Sequence, residues 1–151
     1  HWAQRETIEE YDAQLSTKRG SHVGYIRYNG DRYNYDEENG QQTAGMLWPY
    51  LTGERSFYDF IDQLENGASL EQARLPLTQG VKTMEFFATP SLMLPEQVWD
   101  DAKRFGKPTG AATPLGWTHG EYVKMLRARE DGYMPDRLPE HWVKHAHNLE
   151  K

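Results

Sequence analysis

The chain is 151 residues long and carries 23 acidic against 17 basic side chains, a formal net charge of −6, with a pI near 5.5. That balance argues against a nucleic-acid groove or an anionic membrane surface, both of which select lysine- and arginine-rich faces. The lack of cysteine excludes disulfides, thiolate metal ligands and cysteine nucleophiles, and leaves the redox compartment open. No apolar run approaches the roughly 20 residues that a membrane helix needs, and nothing near the start has the charged-then-apolar pattern of a leader. The length fits one domain, and because the sequence opens at His1 and runs at once into a helical pattern, it reads as a piece of a longer polypeptide.

Residues 7–15 (TIEEYDAQL) place Ile8, Tyr11 and Leu15 at helical spacing behind Thr7, with Glu9 and Glu10 in the first turn. Residues 21–40 are dense in Gly, Asn, Asp and Tyr and read as a long loop. MLWPYL, at the end of residues 41–51, and SFYDFIDQL are separated by Thr52-Gly53-Glu54 and read as two helices joined at a corner. Residues 69–87 carry a helical pattern interrupted by Pro76, which predicts one broken or late-starting helix.

A second long loop, residues 89–113, holds three prolines around the apolar knot SLMLPEQVW. Pro114 then opens a helix to residue 129, with Lys124, Arg127 and Arg129 near its C-terminus, where cations are favoured. Residues 138–149 predict one more short helix. No sustained two-residue alternation and no fixed-period repeat occurs, so the expected fold is all-α, with short amphipathic helices that pack best within a larger helical array.

The chemistry concentrates in the two loops. Tyr25, Arg27, Tyr28, Asn29, Asp31, Tyr33 and Tyr35 lie within eleven residues, and Trp48 follows. Such a mixture suits a sugar, whose C–H faces pack on aromatic rings while its hydroxyls meet planar donors and acceptors. For any one tyrosine, filling the loop core is the better reading. Glu96, in LPEQVWD, sits close to Trp99 and ahead of Trp117. Glycoside hydrolysis needs two carboxyl groups, one as acid and one as nucleophile or base. Residue chemistry leaves open whether Glu96 is such a group or a glutamate favoured at a helix N-terminus.

Other patterns fail on inspection. The run from Asn29 begins like a calcium loop, but Asn34 replaces the required glycine and Gly40 stands where the bidentate glutamate belongs. GKPTG at 106–110 lacks the Gly-Lys-Ser/Thr ending of a P-loop. His141 and His145 are four apart but have no third ligand pattern, so no metal and no cofactor is assigned.

Four motifs, RYNGDRY (27–33), LWPYLTGER (47–55), LPEQVWD (94–100) and TGAATPLGWTHGEYVKMLR (109–127), resemble glycoside hydrolase family 15, the glucoamylases and glucodextranases, in order and spacing. They span most of residues 22–130; residues 1–20 and 131–151 add little. The resemblance implies the C-terminal portion of an (α/α)6 barrel, with the N-terminal part of the catalytic domain supplied by the same protein or by an associated chain. It implies inversion at the anomeric carbon, with Glu96, followed by Gln97, in the place of the general base. It implies that Arg27 and Tyr28 hold hydroxyls of the terminal glucose and that Tyr33, Trp48 and Trp117 wall the pocket. The family's general acid has no motif here, so the chain alone is expected to be inactive.

The implied substrate is an α-glucan or oligosaccharide cut from its non-reducing end, with α-1,4 linkages slightly favoured over α-1,6 linkages and trehalose. The implied compartment is extracellular or periplasmic. The competing readings are a sugar-binding or regulatory derivative of the same scaffold, and an ordinary helical domain whose aromatics are core. A carboxylate held beside a sugar without chemistry is an unnecessary desolvation cost, which weighs against the first; the four ordered motifs weigh against the second.

Overall fold

The computed structural model describes residues 5–31, 33 and 46–135. In chain order these form helix α1 (Arg5–Leu15), strands β1 (Ser16–Arg19) and β2 (His22–Tyr25), and helices α2 (Pro49–Glu65), α3 (Leu70–Phe87) and α4 (Gly116–Asp131). The scaffold is helical, as expected, with one hairpin added. The predicted helix at 138–149, with His141 and His145, and the loop residue Tyr35 lie outside the described residues.

The hairpin overlaps the segment read as a loop from residue 21. Its strands are four residues each, too short for an alternation to register. Gly20, at φ 58°, provides the positive-φ residue of the two-residue connection. Packing fixes the rest: Thr52 Oγ1 donates to the Val23 carbonyl at 3.1 Å, Gln79 Nε2 donates to the Ser21 carbonyl at 2.7 Å, and the His22 ring stacks on Phe86 at 4.1 Å.

The corner expected at Thr52-Gly53-Glu54 does not form, and α2 runs through it from Pro49 in its first turn. Gly53 is there for packing: a β-carbon on it would lie 2.5 Å from Cγ of Glu121 on α4. Nor does Pro76 break α3. A capping box starts that helix, with Ser69 Oγ accepting from the Gln72 amide at 3.2 Å and Gln72 Oε1 accepting from the Ser69 amide at 2.9 Å. Its buried face, including Ala73, Leu77, Val81 and Met84, then outweighs the one amide that Pro76 lacks. Helix α4 begins two residues later than predicted and ends at Gly132, at φ 77°, whose amide donates to the Ala128 carbonyl.

Helices α2, α3 and α4 enclose the main core of Phe57, Phe60, Leu77, Met84 and Met125. Gly53 meets Glu121 and Gly80 meets both Ser56 and Met125, while Tyr122 donates to Glu85 at 2.8 Å and Arg74 reaches the Glu130 carbonyl. Helices α2 and α4 are therefore parallel and α3 is antiparallel to both. The N-termini of α2 and α4 share an end with the C-terminus of α3, and the two chemistry-bearing loops gather there around a smaller core of Leu47, Phe87 and Val98.

Candidate active site

A short backbone ladder joins the two loops. Leu47 and Val98 exchange N–H···O bonds of 3.0 and 2.9 Å, Val98 also pairs with Pro108, and the Trp48 amide donates to the Tyr25 carbonyl at 2.8 Å. The Thr109 amide donates to the Gln97 carbonyl at 3.1 Å, and the Trp99 amide to that of Lys107 at 2.9 Å. Trp48, Glu96 and the approach to α4 are thereby tied together although they are distant in sequence.

Arg27 anchors the first loop. Its Nε and Nη2 donate to Oδ2 and Oδ1 of Asp31 at 2.8 and 2.9 Å, a bidentate pair, and the Tyr33 amide donates to the same Oδ1 at 3.1 Å. Asp31 is fully buried. The Arg27 bonds hold its carboxyl below the usual carboxylate range; burial opposes the shift and the Tyr33 amide reinforces it. The guanidinium lies 4.3 Å from the centre of the Trp48 ring, with Tyr33 at 5.1 Å and Tyr28 at 5.4 Å. Trp48, only 3% exposed, is thus a floor beneath Arg27, whereas Tyr28 and Tyr33 are about half exposed at 54% and 50%.

The aromatic surface continues. Tyr33 and Trp48 have ring centres 5.8 Å apart, Tyr50 meets Trp48 edge-on at 6.0 Å, and Trp117 lies 6.5 Å beyond Tyr50. Trp117 sits in the first turn of α4 with 67% of its surface exposed. Tyr33, Trp48, Tyr50 and Trp117 therefore form a connected aromatic row across the end of the helices, with Arg27 over one part of it. Apolar faces bordered by a guanidinium held in fixed orientation can stack a ring and bind its hydroxyls.

Glu96 lies in a bend and not in the first turn of a helix, which removes the helix-dipole account of this carboxylate. It is half-buried, and its amide donates to the Ala112 carbonyl at 2.9 Å. Immediately before it, Thr118 Oγ1 donates to the Pro95 carbonyl at 3.2 Å, and Leu94 is bonded at its amide to His119 and at its carbonyl to the Leu115 amide.

A second carboxyl group lies one turn into α4. Glu121 is buried against Gly53, with Oε2 2.9 Å from Lys124 Nζ and Oε1 without a hydrogen-bond partner among the described residues. Its pKa is pushed up to about 7, chiefly by burial; the nearby Glu54 adds to the shift and Lys124 opposes it. It packs between α2 and α4.

No family model matches the chain. A glucoamylase from Clostridium sp. (strain G0005) is 33% identical over 123 residues, covering 80% of this chain and 16% of that protein. The crystal structure of a bacterial glucoamylase complexed with acarbose superposes with a TM-score of 0.71 at 30% identity, covering 93% of this chain and 19% of that one. The chain is glucoamylase-like, of the glycoside hydrolase family 15 type. Its helices form part of an (α/α)6-barrel scaffold, and it spans less than a fifth of the length of the relatives it matches.

Within this glucoamylase-like frame, Arg27, Tyr28, Tyr33 and Trp48 come together in one cluster, and Trp117 joins it through Tyr50. Glu96 is connected to that cluster through the backbone ladder. Sequence reasoning passed over Tyr50, although the Trp-Pro-Tyr run at the mouth of a helix marks it as a neighbour of Trp48. The sequence reading takes Asp31 as a polar loop residue, within a failed calcium-loop pattern and the RYNGDRY motif; its position four after Arg27 was the available signal for the ion pair. Nothing in the local sequence distinguished the buried Glu121 from a solvated helix glutamate.

Proposed function

We propose that this chain is the C-terminal part of the catalytic domain of an inverting glycoside hydrolase, one that releases β-glucose from the non-reducing ends of α-glucans. The observation that carries the reading is the aromatic row fixed under a bidentate Arg27–Asp31 pair and tied by Leu47–Val98 to the loop bearing Glu96. A glucose ring packs on the exposed parts of Tyr28, Tyr33 and Trp117, while Arg27 donates to its hydroxyls. Glu96 takes a proton from a water molecule as that water attacks the anomeric carbon. The bond from that carbon to the leaving oxygen breaks, and the leaving oxygen is protonated by an acid from the remainder of the domain.

That remainder also closes the pocket, so this chain by itself does not turn over substrate. The two relatives, a glucoamylase and an acarbose-bound glucoamylase, support the choice of an α-glucan; α-1,4 linkages are slightly favoured. The test is hydrolysis of maltose, isomaltose and trehalose by the complete protein and its Glu96→Gln variant, followed by NMR. Initial release of β-glucose, with turnover lost and sugar binding kept in the variant, is the expected result, and the preferred disaccharide fixes the linkage. Initial α-glucose or normal turnover by Glu96→Gln rejects the assignment of Glu96.

A further inference from the structure

Leu94, Pro95 and Glu96 are held by four hydrogen bonds, all to the segment that leads into α4 or to its first turn. The Leu94 amide donates to Nε2 of His119 at 3.0 Å, and the Leu94 carbonyl accepts from the Leu115 amide at 3.0 Å. The Pro95 carbonyl accepts from Thr118 Oγ1 at 3.2 Å, and the Glu96 amide donates to the Ala112 carbonyl at 2.9 Å. Pro95 has no N–H, so Leu94 offers the last backbone donor before Glu96 itself. Leu94 is buried, and an amide there needs an acceptor. The acceptor is a side chain, so this contact exists only for certain residues at position 119, unlike the two backbone bonds beside it.

We propose that His119, assisted by Thr118, is a positioning residue for Glu96, fixing the start of its loop so that the carboxylate meets the attacking water in a productive geometry. This rests on Glu96 being the base. Nε2 accepts, which places the ring proton on Nδ1 and makes the imidazole neutral. The ring also borders a cavity of about 470 Å³ with Glu85, Leu92, Leu94 and Tyr122. Tightening here matters because a displacement of about 1 Å at a reacting group can cost about 100-fold in rate.

The test is steady-state kinetics on the complete protein. His119→Leu keeps bulk and removes the acceptor; kcat is expected to fall about 10- to 100-fold with KM changed by less than about threefold, the pattern of a lost transition-state interaction. His119→Gln places an amide oxygen near the position of Nε2 and is expected to restore most of kcat. A folded His119→Leu with wild-type kcat, or a Gln variant no better than Leu, overturns the proposal. If the Leu variant does not fold, Thr118→Val, which removes the bond to Pro95 at almost constant volume, carries the same expectation, and wild-type kcat in it overturns the proposal. Glu96→Gln run in parallel separates the two levels: full turnover there removes the base assignment, whereas its loss beside an unimpaired His119→Leu removes only the positioning role.

Discussion

Asp31→Asn changes one atom in the buried pair that orients Arg27, and its cost can be worked from the contacts. Oδ2 accepts from Arg27 Nε, while Oδ1 accepts from both Arg27 Nη2 and the Tyr33 amide. An asparagine must put its NH2 group in one of those places, where it meets a donor. The less costly choice gives up the Oδ2 contact and keeps the other two. One charge-assisted hydrogen bond contributes about 1.5–3 kcal/mol. Because the Arg27 side chain remains 30% exposed to solvent and Asp31 is not exposed at all, about 2 kcal/mol is the expected loss. Denaturant unfolding of the wild type and the variant across pH checks it. Asp31 titrates below its ordinary range when folded, so its contribution is complete above the unfolded value of about 4 and disappears as pH falls through the lower folded value. The stability gap should therefore be constant near neutrality and close in acid. A gap that persists unchanged at pH 2, or no gap at pH 7, would refute the reasoning, and a KM for maltose unaltered by the variant would detach the pair from sugar binding.

Gly80→Ala should destabilise by about 1–2 kcal/mol, since overpacking costs about 1–3 and the gain in helix propensity returns up to about 1; the added carbon would lie 2.9 Å from Ser56 Cβ and 3.0 Å from Met125 Sδ. Gly120→Ala, in the same kind of helix but facing open space, should stabilise by about 0.5–1 kcal/mol, and the opposite signs are readable in paired denaturation midpoints. Glu121 titrates near 7 when folded, so the wild type should lose stability relative to Glu121→Gln as pH rises from about 4.5 through 7; curves that stay parallel over that range speak against a buried acid. Trp117→Ala should weaken sugar binding measured by calorimetry while leaving the unfolding free energy within about 0.5 kcal/mol of the wild type, because the ring is mostly exposed.

The helical scaffold was legible because its apolar residues recur at helical spacing over long stretches, as in α3 and α4. Breaks inferred from Gly53 and Pro76 were not breaks, because each is decided by tertiary packing: Gly53 by the approach of Glu121, Pro76 by a capping box and a buried face. The hairpin was illegible for a different reason, since four-residue strands carry too few alternations and depend on Thr52, Gln79 and Phe86 for support. At the site, the residue types in each loop were readable, but their union was not. It depends on the pairing between Leu47 and Val98 and on the contact of Tyr50 with Trp117, which no local pattern encodes. Glu121 stayed hidden because burial of a glutamate is a property of the helix that packs on it.

That pairing also determines how the site can come apart. Val98 sits between Leu47 and Pro108, so the amides of Leu47 and Val98 should exchange with solvent in one event although they belong to loops far apart in the chain. Breaking that pair detaches the loop bearing Glu96 from the segment that carries Trp48. The buried ring beneath Arg27 and the half-buried carboxylate thus share one seam, and its two amides report when that seam is broken.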